Sequence, residues 1–141
     1  MSLLIAVMML ISLVPLSTFT ASALSGSGTY SDPYLIYTVQ DLFDFCEKVA
    51  DDETSACAKL MNDIAFNTGT SYNTDYKAGG YSGEKPVEWK PIGATMWTKY
   101  KGVFNGNGFT ISGLYNNSKY TNEIGFFGYT DEGAVIKKPY Y

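Results

Sequence analysis

The stretch Tyr100-Lys-Gly-Val-Phe104, Asn105-Gly-Asn-Gly108, Phe109-Thr-Ile-Ser-Gly-Leu-Tyr115 restricts the fold of this chain more than any other part of it. Two short β runs flank tandem Asn-Gly dipeptides, whose residues tolerate positive φ, so the backbone must bend sharply between the runs. A simple hairpin needs one Asn-Gly pair. Two in succession, with Gly113 interrupting the next strand, read as repeated corners of a winding sheet. Ile111 and Ile136 each follow a glycine-bearing turn at a separation of about 25 positions, which fits one repeat of a stacked-strand solenoid.

Upstream the local signals are simpler. Ser25-Gly-Ser-Gly-Thr29 is a short flexible joint, Asp32-Pro33 a turn, and Tyr34 to Thr38 a strand with Leu35 and Ile36 near its centre. Thr38 then opens a helix as its N-cap, with Asp41 in the first turn and Leu42, Phe45, Cys46 and Val49 on one face. After Asp51-Asp-Glu-Thr54 the period becomes strand-like from Ala56 to Phe66, where Asn62-Asp63 supplies side chains able to cap a turn. Asn67 to Glu88 has no sustained apolar period and contains Gly79, Gly80 and Gly83, so it reads as a long surface insertion presenting Tyr72, Tyr76 and Tyr81.

The N-terminus carries its own message. Leu3 to Leu16 is apolar and uncharged, Pro15 interrupts it, and Ala21-Ser22-Ala23 forms an A-x-A site. This reads as a secretion signal, residues 1–23, cleaved after Ala23; a buried N-terminal helix is the alternative. The run is shorter than the roughly 20 apolar residues of a bilayer-spanning helix, so no stable membrane span is expected after removal of the signal. Residues 24–29 form a linker and 30–141 one small domain. The net charge of −4 falls wholly outside the apolar leader, and without a basic surface nucleic acid is not an expected partner.

Catalytic chemistry is hard to assemble from these residues. The sequence has no His, which excludes Ser-His-Asp and Cys-His engines. Asp63, Asp75, Glu84 and Glu88 are the acids nearest the expected loop face, but their positions match no paired-carboxylate motif, and acids at turns usually serve as capping residues. Two Cys without His cannot complete a zinc shell, and oxygen ligands around Asn105 to Gly108 are too few for calcium, so no metal or cofactor is expected. Cys46 and Cys57 form a disulfide or stay as two buried thiols. Trp89 reads as a core or loop-anchoring residue and Trp97 as exposed, where an indole face can stack on a sugar ring. Tyr72, Tyr76, Tyr81 and Trp97 are therefore the candidate ligand-binding residues, with glycans or other surface proteins as expected partners. Asn116-Asn117-Ser118 has the form of a glycosylation sequon and reads equally as a turn.

Taken in order, Asp32-Pro-Tyr-Leu-Ile36, the helix Leu42 to Val49, Ala58 to Ile64, Trp89-Lys-Pro-Ile-Gly93, Gly102 to Leu114 and Gly125-Phe-Phe-Gly128 resemble the N-terminal end of GLUG-motif proteins of bacterial cell surfaces. The resemblance implies a mainly β fold: the start of a right-handed parallel β-helix with one N-terminal capping α-helix. On that pattern Ile64, Ile92, Phe104, Ile111, Leu114 and Phe127 stack inside the coil, and the early helix covers its open end. It further implies a secreted or cell-surface structural or adhesion module that is not an enzyme. A fragment of a carbohydrate-active enzyme and a glycan-binding module are the alternatives. Relatives continue into further repeats where this sequence stops at Tyr141, so truncation at the C-terminus is expected.

Overall fold

A computed structural model describes residues 24–68, 86–117 and 123–138. These residues form a mainly β fold with one helix, in the order β1 (Tyr34–Ile36), α1 (Val39–Ala50), β2 (Ala58–Leu60), β3 (Ile64–Ala65), β4 (Val103–Asn105), β5 (Ile111–Ser112) and β6 (Val135–Lys137). The expected secretion signal, and with it the expected cleavage after Ala23, lies outside the described residues, as does most of the expected surface insertion.

Every pairing between these strands is parallel. One sheet has the order β1-β2-β4-β6 and a separate one pairs β3 with β5. Parallel neighbours need a crossover between them, since a tight turn joins only antiparallel strands. α1 supplies the first crossover, between β1 and β2. The register places Tyr34, Ala58, Phe104 and Ile136 in one column across the large sheet, Ile64 and Ile111 in a second across the small sheet, and Ile92 and Phe127 in a third through an isolated bridge.

The tandem Asn-Gly segment turns a corner. Phe109 N–H donates to the Gly106 carbonyl at 2.8 Å, and the two residues between them have positive φ, +47° at Asn107 and +83° at Gly108. That is type I′ geometry, the usual hairpin turn. Here β4 and β5 do not pair with each other, because each has a parallel partner in a different sheet. Side chains tie the corner to its neighbours. Asn107 Nδ2 donates to the Leu60 carbonyl at 3.0 Å, Asn62 Nδ2 to the Tyr37 carbonyl at 3.2 Å, and Asp63 Oδ1 accepts from Thr110 N–H at 2.8 Å.

Two expectations are corrected at this level. Ile136 pairs with Phe104 and Ile111 with Ile64, so their spacing is not one repeat of the stack. Leu114 is 38% exposed and does not join the interior column. It follows Gly113, whose φ of +69° and whose contact with the Phe66 carbonyl leave no room for a side chain; a Cβ there would lie 2.1 Å from that oxygen. The positive φ at Gly108 agrees with its corner role, but nothing lies within 4 Å of where its Cβ would be.

α1 forms where the sequence places it. Asp41 N–H donates to Thr38 Oγ1 at 3.1 Å while Asp41 Oδ2 accepts from Thr38 N–H at 2.9 Å, a complete capping box. Leu42, Phe45 and Val49 are fully buried on one face, each contributing about 1.5–3 kcal/mol relative to exposure. Phe45 meets the rings of Tyr34, Tyr100 and Phe104, and Phe43 meets Phe66 and Trp89. The helix thus covers the core that the strand columns build.

Candidate functional site

The two tryptophans part company within one segment. Trp89 is buried, stacked on Phe126, and its Nε1–H donates to the Phe126 carbonyl at 3.3 Å. Trp97 is 85% exposed. It sits on a tight turn made by Thr95, whose Oγ1 accepts from the N–H groups of Trp97 and Thr98 at 3.3 and 3.2 Å. Local Ser/Thr turns of this type fix the backbone without a tertiary partner. The turn therefore holds Trp97 and the exposed Met96 out from the surface.

Beside this segment a cleft of about 440 Å³ runs between α1 and residues 87–94. α1 contributes Phe43, Cys46 and Glu47 to it; Glu88, Lys90 and Pro91 contribute the other wall. Aromatic and thiol groups line its interior, with carboxylate and ammonium groups among the lining side chains. Burial, followed by the charge of Glu47, pushes the Cys46 thiol up to about 12. It is thus fully protonated near neutral pH and is not a nucleophile there.

Of the two arrangements the sequence leaves open for Cys46 and Cys57, a disulfide or two thiols, the structure has two free thiols. They serve different surroundings. Cys46 faces the cleft beside α1, whereas Cys57 lines a separate hollow with Tyr30, Pro33 and Lys137, and its Sγ donates weakly to the Ser55 carbonyl at 3.9 Å.

Among the described residues the candidate ligand-binding and acidic positions are Trp97, Asp63 and Glu88, which lie in different parts of the fold. Trp97 is on the surface turn, and Tyr72, Tyr76, Tyr81, Asp75 and Glu84 lie outside the described residues. Asp63 holds Thr110 across a corner, and Glu88 Oε1 accepts from Asn117 N–H at 3.1 Å in another part of the fold. Among the described residues no three His, Cys, Asp or Glu side chains converge as a metal site would require. The cleft itself escaped the sequence reading, because its walls come from a helix and a loop about 40 residues apart. Its one sequence trace is Phe43, an aromatic beside the apolar face of α1.

No family model and no solved structure matches the chain. A protein of Evansella cellulosilytica, provisionally named as a Gly-rich membrane protein, is 30% identical to it over 112 residues, which is 79% of this chain and 11% of that protein. The chain thus spans a small part of that relative's length. Among the described residues no helix is long and apolar enough to cross a membrane.

Proposed function

We propose that this chain is the capped start of a right-handed parallel β-helix that acts as a structural or adhesion module of the cell surface, with no chemistry of its own. The observation that carries the reading is the all-parallel order β1-β2-β4-β6 beside the parallel pair β3-β5, with side chains stacked in register. Stacking of this kind buries a continuous core only when one end is closed, and α1 provides that cover. The ordered resemblance to GLUG-motif proteins supports the same architecture. The relative's name as a membrane protein supports a location at the cell envelope.

The acids favour a structural role too. Asp63 and Glu88 spend carboxylate oxygens on backbone N–H groups of Thr110 and Asn117, which is capping chemistry. Incubation of the purified chain with a panel of polysaccharides should release no reducing ends, and protease treatment of intact host cells should remove the domain. Cleavage that disappears in Glu88→Gln with the fold intact, or full protection of the domain in intact cells, sinks the proposal.

A second reading, glycan binding, is favoured by the exposure of Trp97 on a rigid turn. An indole face exposed in this way offers a stacking surface for a sugar ring. Binding to a glycan array that is lost in Trp97→Ala supports it; identical binding by that variant removes it.

A further inference from the structure

The outer face of the large sheet carries a column of its own. Ala58, Leu60 and Phe104 are buried on the inner face, and alternation along each strand turns their neighbours outward. The register then aligns Leu35, Lys59, Asn105 and Lys137 across the four strands. Asn105 is thus one strand from each lysine, and the two lysines are about 10 Å apart along the face, two strand spacings of about 4.8 Å.

Lys59, Asn105 and Lys137 line one hollow of about 280 Å³, with Tyr30, Pro33 and Cys57 in its wall and no acidic residue among its lining. Among the described residues the one salt bridge joins Lys48 to Glu53, so neither Lys59 nor Lys137 is neutralised by a carboxylate there. Asn105 Oδ1 accepts from Asn107 N–H at 3.0 Å, which leaves Nδ2 as the donor end of that amide. Tyr30 is 74% exposed, and the Lys137 ammonium lies 5.5 Å from its ring centre, over one face. A chain with a net charge of −4 therefore sets two ammonium groups and an amide donor around one hollow with no carboxylate to oppose them. That is a donor set for an anion.

We infer that this hollow binds an acidic saccharide, with the sugar ring packed on Tyr30 and its acidic group, a carboxylate or a phosphate, held between Lys59 and Lys137 beside the Asn105 amide. Two observations select that occupant. The donor set opposes a cation and favours an anion, and the exposed aromatic ring beside the charges offers a sugar ring an apolar face that a bare inorganic anion cannot use. A strand added beside β6 lies in the plane of the sheet, so it lengthens this outer face and does not cover it. The inference extends the adhesion reading by naming a ligand class, and it uses no residue of the Trp97 turn. Its failure would leave the protease test of surface exposure untouched.

The purified chain should be titrated into two fluorescently labelled probes, an oligogalacturonate for the carboxylate and a phosphorylated mannan oligosaccharide for the phosphate, with binding read as anisotropy. At least one should bind, its neutral counterpart, methyl-esterified or dephosphorylated, should not, and added salt should weaken the complex. Lys59→Gln and Lys137→Gln should each raise the dissociation constant roughly fivefold, and Tyr30→Ala should raise it as well. Lys90→Gln, which removes an exposed ammonium from the cleft beside α1, should leave it unchanged. All four side chains lie at the surface, so each variant should keep the parent's denaturation midpoint. Binding of neither probe, equal binding of the neutral forms, or the same loss in Lys90→Gln as in Lys59→Gln would each overturn the inference. Binding untouched by Tyr30→Ala would overturn the saccharide assignment, and binding lost in Trp97→Ala while Lys59→Gln retains it would move the site to the Trp97 turn.

Discussion

The indole of Trp89 lies flat on the ring of Phe126, with centroids 5.1 Å apart and planes 5° from parallel, while Phe66 meets the same indole edge-on at 5.5 Å. This contact joins the loop before β4 to the segment after β5, so one side chain ties together parts of the chain that are distant in sequence. Trp89→Ala should cost about 3–5 kcal/mol, read as a lowered denaturation midpoint. Trp97→Ala should stay within about 0.5 kcal/mol of the parent. Acrylamide should quench the Trp97 emission and spare that of Trp89; equal quenching of both would contradict the structure.

Gly108 and Gly113 separate two reasons for glycine. Both have positive φ, but only Gly113 lies against a neighbouring carbonyl, that of Phe66. Gly108→Ala should cost about 1–2 kcal/mol, the penalty of the left-handed conformation alone. Gly113→Ala adds a backbone collision to that penalty and should be distinctly the more destabilising in chemical denaturation. Equal costs would show that the close approach at Gly113 relaxes freely.

Asn107→Asp removes an amide donor and sets a carboxylate beside the Leu60 carbonyl it now serves. The loss should be about 1–3 kcal/mol. Asp retains the tolerance of positive φ, so the effect reports the hydrogen bond and not the turn. A denaturation midpoint within error of the parent would mean that the bond contributes nothing net.

Cys46 and Tyr100 give a pH signature. Burial and then the Glu47 charge raise Cys46 from 9.0 to about 12, and burial followed by the Cys57 charge raises Tyr100. The folded chain then holds protons that the unfolded chain releases, so this stabilisation is complete below about pH 9 and declines as pH rises toward 12. Cys46→Ala and Tyr100→Phe should each flatten that decline. Near neutral pH, alkylation of Cys46 should be slow in the folded chain and rapid in denaturant, and mass spectrometry without reductant should find no loss of two hydrogens.

The sequence alone determined the features that close within a few residues. Thr38 and Asp41 make the capping box, Leu42, Phe45 and Val49 make the buried stripe, and Asn105 to Gly108 make a bend. Each depends on the hydrogen bonds and periodicity of adjacent residues, which no distant partner needs to supply. Only the tertiary structure decided what that bend joins. The same type I′ geometry closes a hairpin when its flanking strands pair, and turns a corner here because β4 finds β2 and β5 finds β3 instead. Those partners are selected by burial: Phe104 and Ile64 come to rest in one buried cluster with Leu42, Phe45 and Val49 of α1 and with aromatic rings that arrive from elsewhere in the chain. The stacking of Trp89 on Phe126 and the exposure of Leu114 follow from the same long-range packing. No local pattern encodes it, because the free energy that fixes it comes from surfaces that meet only once the chain has folded.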